Sequence, residues 1–233
     1  MICKLEGFDY DVSNNTSMGE NMPILDDKVL SEVKKALDNM QNPVTLVLFT
    51  QAFECGYCKD THELLSELTT VNSKLSLEVH QFESDKDAVD KYQIDKIPAI
   101  AVIGERDYGI RFYGIPAGYE FSSLLSAILM VSTRIVKLSP ETKTFLGNLA
   151  KPAHLQVFVT PTCPYCPQAV ILAHQMAFYS DKIKADMVEI SEFPHLAQKY
   201  AVQGVPRTVI NEKWYQEGAA PEAMIIAKIK ESL

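Results

Sequence analysis

Two hydrophobic periods take turns along this chain, and each switch between them marks an element. "DDKVLSEVKKALDNM" has acids first, lysines later and apolar residues three and four apart, which predicts a helix. "VTLVLFT" is an unbroken aliphatic and β-branched run, as expected of a strand buried on both faces. Helical "DTHELLSEL", the alternating strand "LSLEVHQFE" and the short helix "DKDAVDKY" follow. "AIAVIG" and "GIRFYG" flank the turn "ERDY" as a hairpin, and "EFSSLLSAILMVS" closes the series as a buried helix. The series then begins again. "SPETKTFLGNL" offers Ser139 as a cap and Pro140 at the first helical position. "LQVFVT" is a second buried strand, followed by the helix "QAVILAHQMAFYS", the strand "IKADMVEI", the helix "FPHLAQKY", the hairpin "RTVINEKWYQEG" and the helix "PEAMIIAKIKESL".

The residues themselves repeat as well. Adding 108 takes Cys55 to Cys163, Cys58 to Cys166, Lys91-Tyr92 to Lys199-Tyr200, and Pro98 to Pro206. "KYQIDKIPAI" and "KYAVQGVPRT" are therefore two copies of one segment, and in both the proline lies 40 residues after the second cysteine (98 − 58 and 206 − 166). A unit of about 100 residues, an ordinary domain size, has been duplicated in tandem. The expected architecture is α/β, two domains each with a mixed sheet and flanking helices. They span 23–135 and 136–233, with the joint near 134–139, and residues 1–22 form a flexible extension.

Composition narrows the function classes. The chain has 233 residues, 47% hydrophobic and 22% charged, with a formal net charge of −8. No Lys/Arg cluster marks a nucleic-acid surface, and the acidic balance disfavours anionic membranes. The most apolar run, "FSSLLSAILMVS", is too short to span a bilayer. The leader "MICKLEGFDYDVSNNTSMGENM" lacks the basic start, apolar core and cleavage site of a signal peptide. The expected location is the cytoplasm, where static disulfides are rare and catalytic ones transient.

Each cysteine pair falls where a buried strand gives way to a helix. There the first-turn N–H groups are unpaired and the helix dipole is positive, so a thiolate is stabilised and its pKa falls. Cys55 and Cys163 are expected to be exposed nucleophiles, with Cys58 and Cys166 deeper and close enough to bridge. A disulfide across so short a loop restrains the unfolded chain little, so ready making and breaking explains it better than stabilisation. Glu54 disfavours a thiolate at Cys55, partly offset by Lys59. Cys163 has no adjacent acid, and Pro164 preorganises the helix start, so Cys163 is expected to have the lower pKa. Pro98 and Pro206 stand at strand starts, where a missing N–H is tolerated. If the Ile97-Pro98 and Val205-Pro206 bonds are cis, the backbone before each is turned outward to pair with an extended substrate segment.

Together these residues carry the signature of the thioredoxin superfamily. "TCPYC" resembles the glutaredoxin active site, and the "IP" and "VP" steps resemble the family's cis-proline. The tandem form, with a CxxC in each unit, resembles the glutaredoxin-like protein disulfide oxidoreductases of thermophilic archaea and bacteria. The resemblance runs from Met22 onward. It implies dithiol–disulfide exchange with protein substrates through Cys55, Cys58, Cys163 and Cys166, with Ile97, Pro98, Val205 and Pro206 lining the substrate site. It also implies no bound cofactor, with electrons coming from a thioredoxin-reductase-like flavoprotein. Three features depart from the pattern. Glu54 and Thr162 replace thioredoxin's tryptophan before the motif. Phe49 or Val157 stands where thioredoxin buries an acid. Glutaredoxin's paired glycines and Asp near the last helix reduce to Gly218, so glutathione binding is not expected.

Blander readings have weaker support. A zinc ribbon places its cysteine pairs about 15–20 residues apart, whereas these are 105 apart (163 − 58). Tyr57, Tyr165 and Trp214 are read as packing or surface residues, His62 as an ordinary helix residue, "ESDKDAVD" as a solvated face, and Cys3 as incidental. Two alternatives remain. One is an electron-relay module feeding a peroxiredoxin, similar to the N-terminal module of the alkyl hydroperoxide reductase flavoprotein, in which only the second unit keeps its CxxC. The other is a chaperone that binds unfolded segments and does no chemistry.

Overall fold

A computed structural model describes residues 23–233. The expected 1–22 extension, and Cys3 within it, lie outside the described residues. The first eight elements are α1 (Asp27–Leu37), β1 (Val44–Thr50), α2 (Cys58–Thr69), β2 (Leu75–Gln81), α3 (Lys86–Tyr92), β3 (Ala99–Ile103), β4 (Asp107–Tyr113) and α4 (Glu120–Thr133). The next eight repeat that order: α5 (Pro140–Gly147), β5 (Ala153–Val159), α6 (Cys166–Tyr179), β6 (Ile183–Glu189), α7 (Pro194–Lys199), β7 (Arg207–Ile210), β8 (Trp214–Glu217) and α8 (Glu222–Ser232). Local chemistry fixes several ends. The side chain of Asp26 accepts from Val29 N–H and caps α1, and Ser139 Oγ accepts from Thr142 N–H to cap α5, with Pro140 in its first turn.

The strands form one continuous mixed sheet in the order β2-β1-β3-β4-β6-β5-β7-β8. Two separate sheets were expected. They are joined because β4, the outer strand of the first hairpin, pairs in parallel with β6 from Ile110↔Ala185 to Tyr113↔Val188. An open edge of unpaired N–H and C=O groups is thereby satisfied. Gly109, at φ +74°, sits at the start of this seam. A Cβ there would lie 3.1 Å from Ile183 O.

Helices α1, α2, α4, α5, α6 and α8 bury side chains on one face of the sheet, and α3 and α7 cover the other. Helix α4 is buried nearly all round because it packs against α1 on one side and α6 on the other. That explains an apolar run without a polar stripe. Strand β1 is antiparallel to β3, β3 to β4, and β4 and β5 are both parallel to β6. Strands β1 and β5 therefore point the same way, and the loops after them leave the same end of the sheet.

Candidate active site

The first cysteine pair lies beyond the end of β1. Between Thr50 and α2 the chain makes a projecting loop, in which Gln51 Nε2 donates to Phe53 O at 2.6 Å and Phe53 is 81% exposed. Glu54, also exposed, takes a left-handed backbone at φ 55°. Cys55 and Cys58 form a disulfide with Cα atoms 5.5 Å apart. Cys58 is the first residue of α2 and is buried, while Cys55 is partly exposed. No side chain caps α2, so its first amides are left to face the sulfurs.

The second pair is tighter. After Val159 the chain turns at once, with Cys163 N–H donating to Thr160 O at 3.2 Å and Cys166 N–H to Cys163 O at 3.4 Å. Cys163 and Cys166 are also joined, with Cα atoms 5.5 Å apart, at the uncapped start of α6. Cys166 is fully buried and Cys163 only 7% exposed. In each pair the first cysteine is the more accessible, but the exposed nucleophile expected at position 163 is instead a nearly covered one. At both sites the first cysteine sits in the turn before the helix rather than on it.

Both proline loops lie at the same end of the sheet as the cysteines. Strand β3 starts with Ala99 opposite Phe49 near the end of β1, and β7 starts with Arg207 opposite Phe158 near the end of β5. Pro98 and Pro206 immediately precede those residues. The Ile97-Pro98 and Val205-Pro206 bonds are both cis. Pro98 O accepts from Gly114 N–H at 2.9 Å and Pro206 O from Gly218 N–H at 2.8 Å, so the two loops are anchored alike. Ile97 and Val205 are half-buried and the prolines buried. The repeated Lys-Tyr step is structural: Lys91 Nζ donates to Tyr92 OH at 3.0 Å and Lys199 Nζ to Tyr200 OH at 2.7 Å, while the tyrosines pack on Phe49 and Phe158.

Sequence reasoning overlooked one residue. Glu120, the first residue of α4, is 1% exposed, and neither carboxylate oxygen has a hydrogen-bond partner among the described residues. Burial pushes its carboxyl up to about 8, against a smaller opposing effect of Ser123. The preceding residue, Tyr119, donates its N–H to Pro161 O at 3.0 Å, in the loop that carries Cys163. A buried acid from the first half thus follows directly on a residue bonded to the second cysteine loop. Its signal was a carboxylate opening an otherwise apolar helix. His174, on α6, is no counterpart: burial lowers it to about 4, its Nε2–H donates to Arg111 O at 3.3 Å, and it stays neutral near pH 7.

Among the described residues no group of three or more His, Cys, Asp or Glu could hold a metal ion, and no helix is long and apolar enough to cross a membrane. The fold has known counterparts. The thioredoxin-domain family model matches residues 153–231. A protein disulfide oxidoreductase from Aeropyrum pernix superimposes with a TM-score of 0.84 at 31% identity, covering 89% of this chain and 93% of the other. The chain belongs to the tandem thioredoxin-fold protein disulfide oxidoreductases. A second match in this fold is the N-terminal domain of the alkyl hydroperoxide reductase AhpF from Enterococcus faecalis, with TM-score 0.82 and 25% identity over 88% of this chain and 99% of that one. Curated relatives include the corresponding alkyl hydroperoxide reductase polypeptide of Staphylococcus aureus, 28% identical over 85% of this chain. A Bacillus subtilis protein named NADH dehydrogenase is 26% identical over 88% of it. The chain spans only 36% and 38% of the length of those two relatives.

Proposed function

We propose that this chain exchanges dithiols and disulfides with protein substrates through two separate CxxC centres. In this reading residues 23–135 and 136–233 are two thioredoxin-like domains in a cytoplasmic protein. The observation that carries it is the duplication of a whole constellation: a cysteine pair at an uncapped helix start, with a proline loop anchored at the same sheet end. Reduction of a substrate starts with the thiolate of Cys163 attacking one substrate sulfur. A mixed disulfide forms and the other substrate sulfur leaves as thiolate. Cys166, once deprotonated, attacks Cys163, closing the internal disulfide and releasing the second substrate thiol. Two electrons pass to the substrate. Cys55 and Cys58 act in the same way at the first centre.

Ile97 and Val205, half-buried beside the cysteine loops, are the backbone ledges on which an extended substrate segment docks.

The two centres work independently. Strands β1 and β5 are four strand positions apart, roughly 19 Å at about 4.8 Å per strand. Direct exchange requires sulfurs at bonding distance, so neither pair hands electrons straight to the other in this arrangement. Electrons come from a flavoprotein reductase, as the relation to the alkyl hydroperoxide reductases supports.

Insulin-disulfide reduction with dithiothreitol as donor tests this. Cys55→Ser/Cys58→Ser and Cys163→Ser/Cys166→Ser should each retain part of the activity, and the fourfold variant should fall to the rate of dithiothreitol alone. Wild-type reduction no faster than dithiothreitol alone, with holdase activity unchanged in the fourfold variant, would leave only the binding role of a chaperone. The second reading, a module dedicated to a peroxiredoxin, is favoured by the relatives named above. It predicts that transfer to a peroxiredoxin disulfide is abolished by the Cys163/Cys166 substitutions and survives the Cys55/Cys58 ones.

A further inference from the structure

The segment Gly114–Tyr119, which joins β4 to α4, is nearly all buried although it has no secondary structure. It belongs to the first half by sequence, yet it is tied to the second at both ends. At one end Ile115 N–H donates to Glu192 Oε1 at 2.6 Å, and a Cβ on Gly114 would come within 2.7 Å of the same oxygen. At the other end Tyr119 N–H donates to Pro161 O at 3.0 Å. Gly118 has φ +58°, and a Cβ there would lie 2.3 Å from Pro161 O and 3.0 Å from Pro161 C. Those are backbone atoms, so nothing flexible can give way. Pro161 is two residues before Cys163, and the turn closed by Cys163 N–H on Thr160 O spans it.

The corresponding place in the second half is open. Gly218, which follows β8 and bonds the second proline loop as Gly114 bonds the first, has nothing within 4 Å of an added Cβ. Among the described residues no such strap covers the first cysteine loop, whose tip is exposed at Phe53. The difference parallels the accessibility of the first cysteines: partly exposed at 55, nearly covered at 163.

We infer that the 114–119 strap is a positioning element of the second centre, in which the Gly118 approach and the Tyr119–Pro161 hydrogen bond hold the Cys163 turn and limit access to its sulfur. This rests on the dithiol–disulfide reading above. The first half thereby completes the second active site, while the first site lacks an equivalent support among the described residues. The consequence is a division of labour by access. The first centre is open to bulky protein disulfides, and the second admits only a slender, extended segment.

Two variants test it. Gly118→Ala must displace the Pro161 carbonyl. Tyr119→Pro removes the N–H together with the phenol ring, at a residue whose φ of −62° proline already prefers, and Tyr119→Ala, which loses the ring and keeps the N–H, is its control. Each is reduced in full, and the alkylation rates of Cys55 and Cys163 by iodoacetamide are followed by mass in the same molecules, with the redox potential of each pair measured alongside. Cys163 should react about threefold faster or more while Cys55 stays unchanged, because thiol reactivity follows access and thiolate character. The potential of the 163–166 pair should move and that of the 55–58 pair should not. If Gly118→Ala does not fold, Tyr119→Pro alone decides. Equal changes at both cysteines, or none at Cys163, would overturn the inference. Alkylation needs no protein substrate, so loss of the broader functional reading would show in insulin reduction instead.

Discussion

A carboxyl group without partners in the interior is costly when charged, and Glu120 shows the consequence at the scale of one residue. Its folded-state value of about 8 lies above its ordinary 4.5. The folded protein therefore holds this proton more tightly than the unfolded chain. Stability is fullest below about 4.5 and falls as pH rises through about 8. Denaturant titrations should show that decline, on the order of a few kcal/mol, and Glu120→Gln should shrink it. An unchanged slope would mean that Glu120 is not buried in its neutral form. His174 has the opposite sign. Its value near 4 lies below the usual 6.5, so stability is lost as pH falls from about 6.5 towards 4, and His174→Gln should lessen that acid-side loss. At the cysteines, Cys163 is expected to ionise at a lower pH than Cys55. The acid Glu54 adjoins only Cys55, and this outweighs the burial of Cys163, which works against its thiolate. Thiolate absorbance against pH in the two single-site variants checks this, and a lower midpoint for Cys55 would reject it.

Among the elements, α4 has the widest reach, packing on α1 and α6 and following directly on the strap that bonds the second cysteine loop. Leu124, fully buried on it, should cost about 2–5 kcal/mol as Leu124→Ala, measurable as one cooperative loss rather than the unfolding of a single half. Most elements were legible beforehand because the signals are local. Continuous apolar runs gave β1 and β5, Ser139-Pro140 gave the start of α5, and Lys-Tyr through Pro in two copies gave the proline loops. The join between β4 and β6 was not legible, since the pattern of a strand buried on both faces does not name its neighbour. Cys163's cover was hidden for the same reason: it is supplied by residues some 45 positions earlier (163 − 118), across the seam. Glu120 was hidden by a helix whose pattern announces burial but not which polar atoms burial strands.

At the scale of the molecule, residues 23–233 form one eight-stranded sheet carrying two redox centres at one end. Duplication supplied two similar sites, and fusion of the sheets made them unequal, because the end of the first half leans on the active loop of the second. Each CxxC should then act as a self-sufficient two-electron centre. The most direct test is a glutathione redox titration of Cys55→Ser/Cys58→Ser and of Cys163→Ser/Cys166→Ser, counting free thiols by alkylation and mass. Each variant should gain and lose two thiols together, reversibly, at the potential its pair shows in the intact protein. A pair that stays oxidised throughout, releases its thiols one at a time, or titrates only when the other pair is present would contradict this.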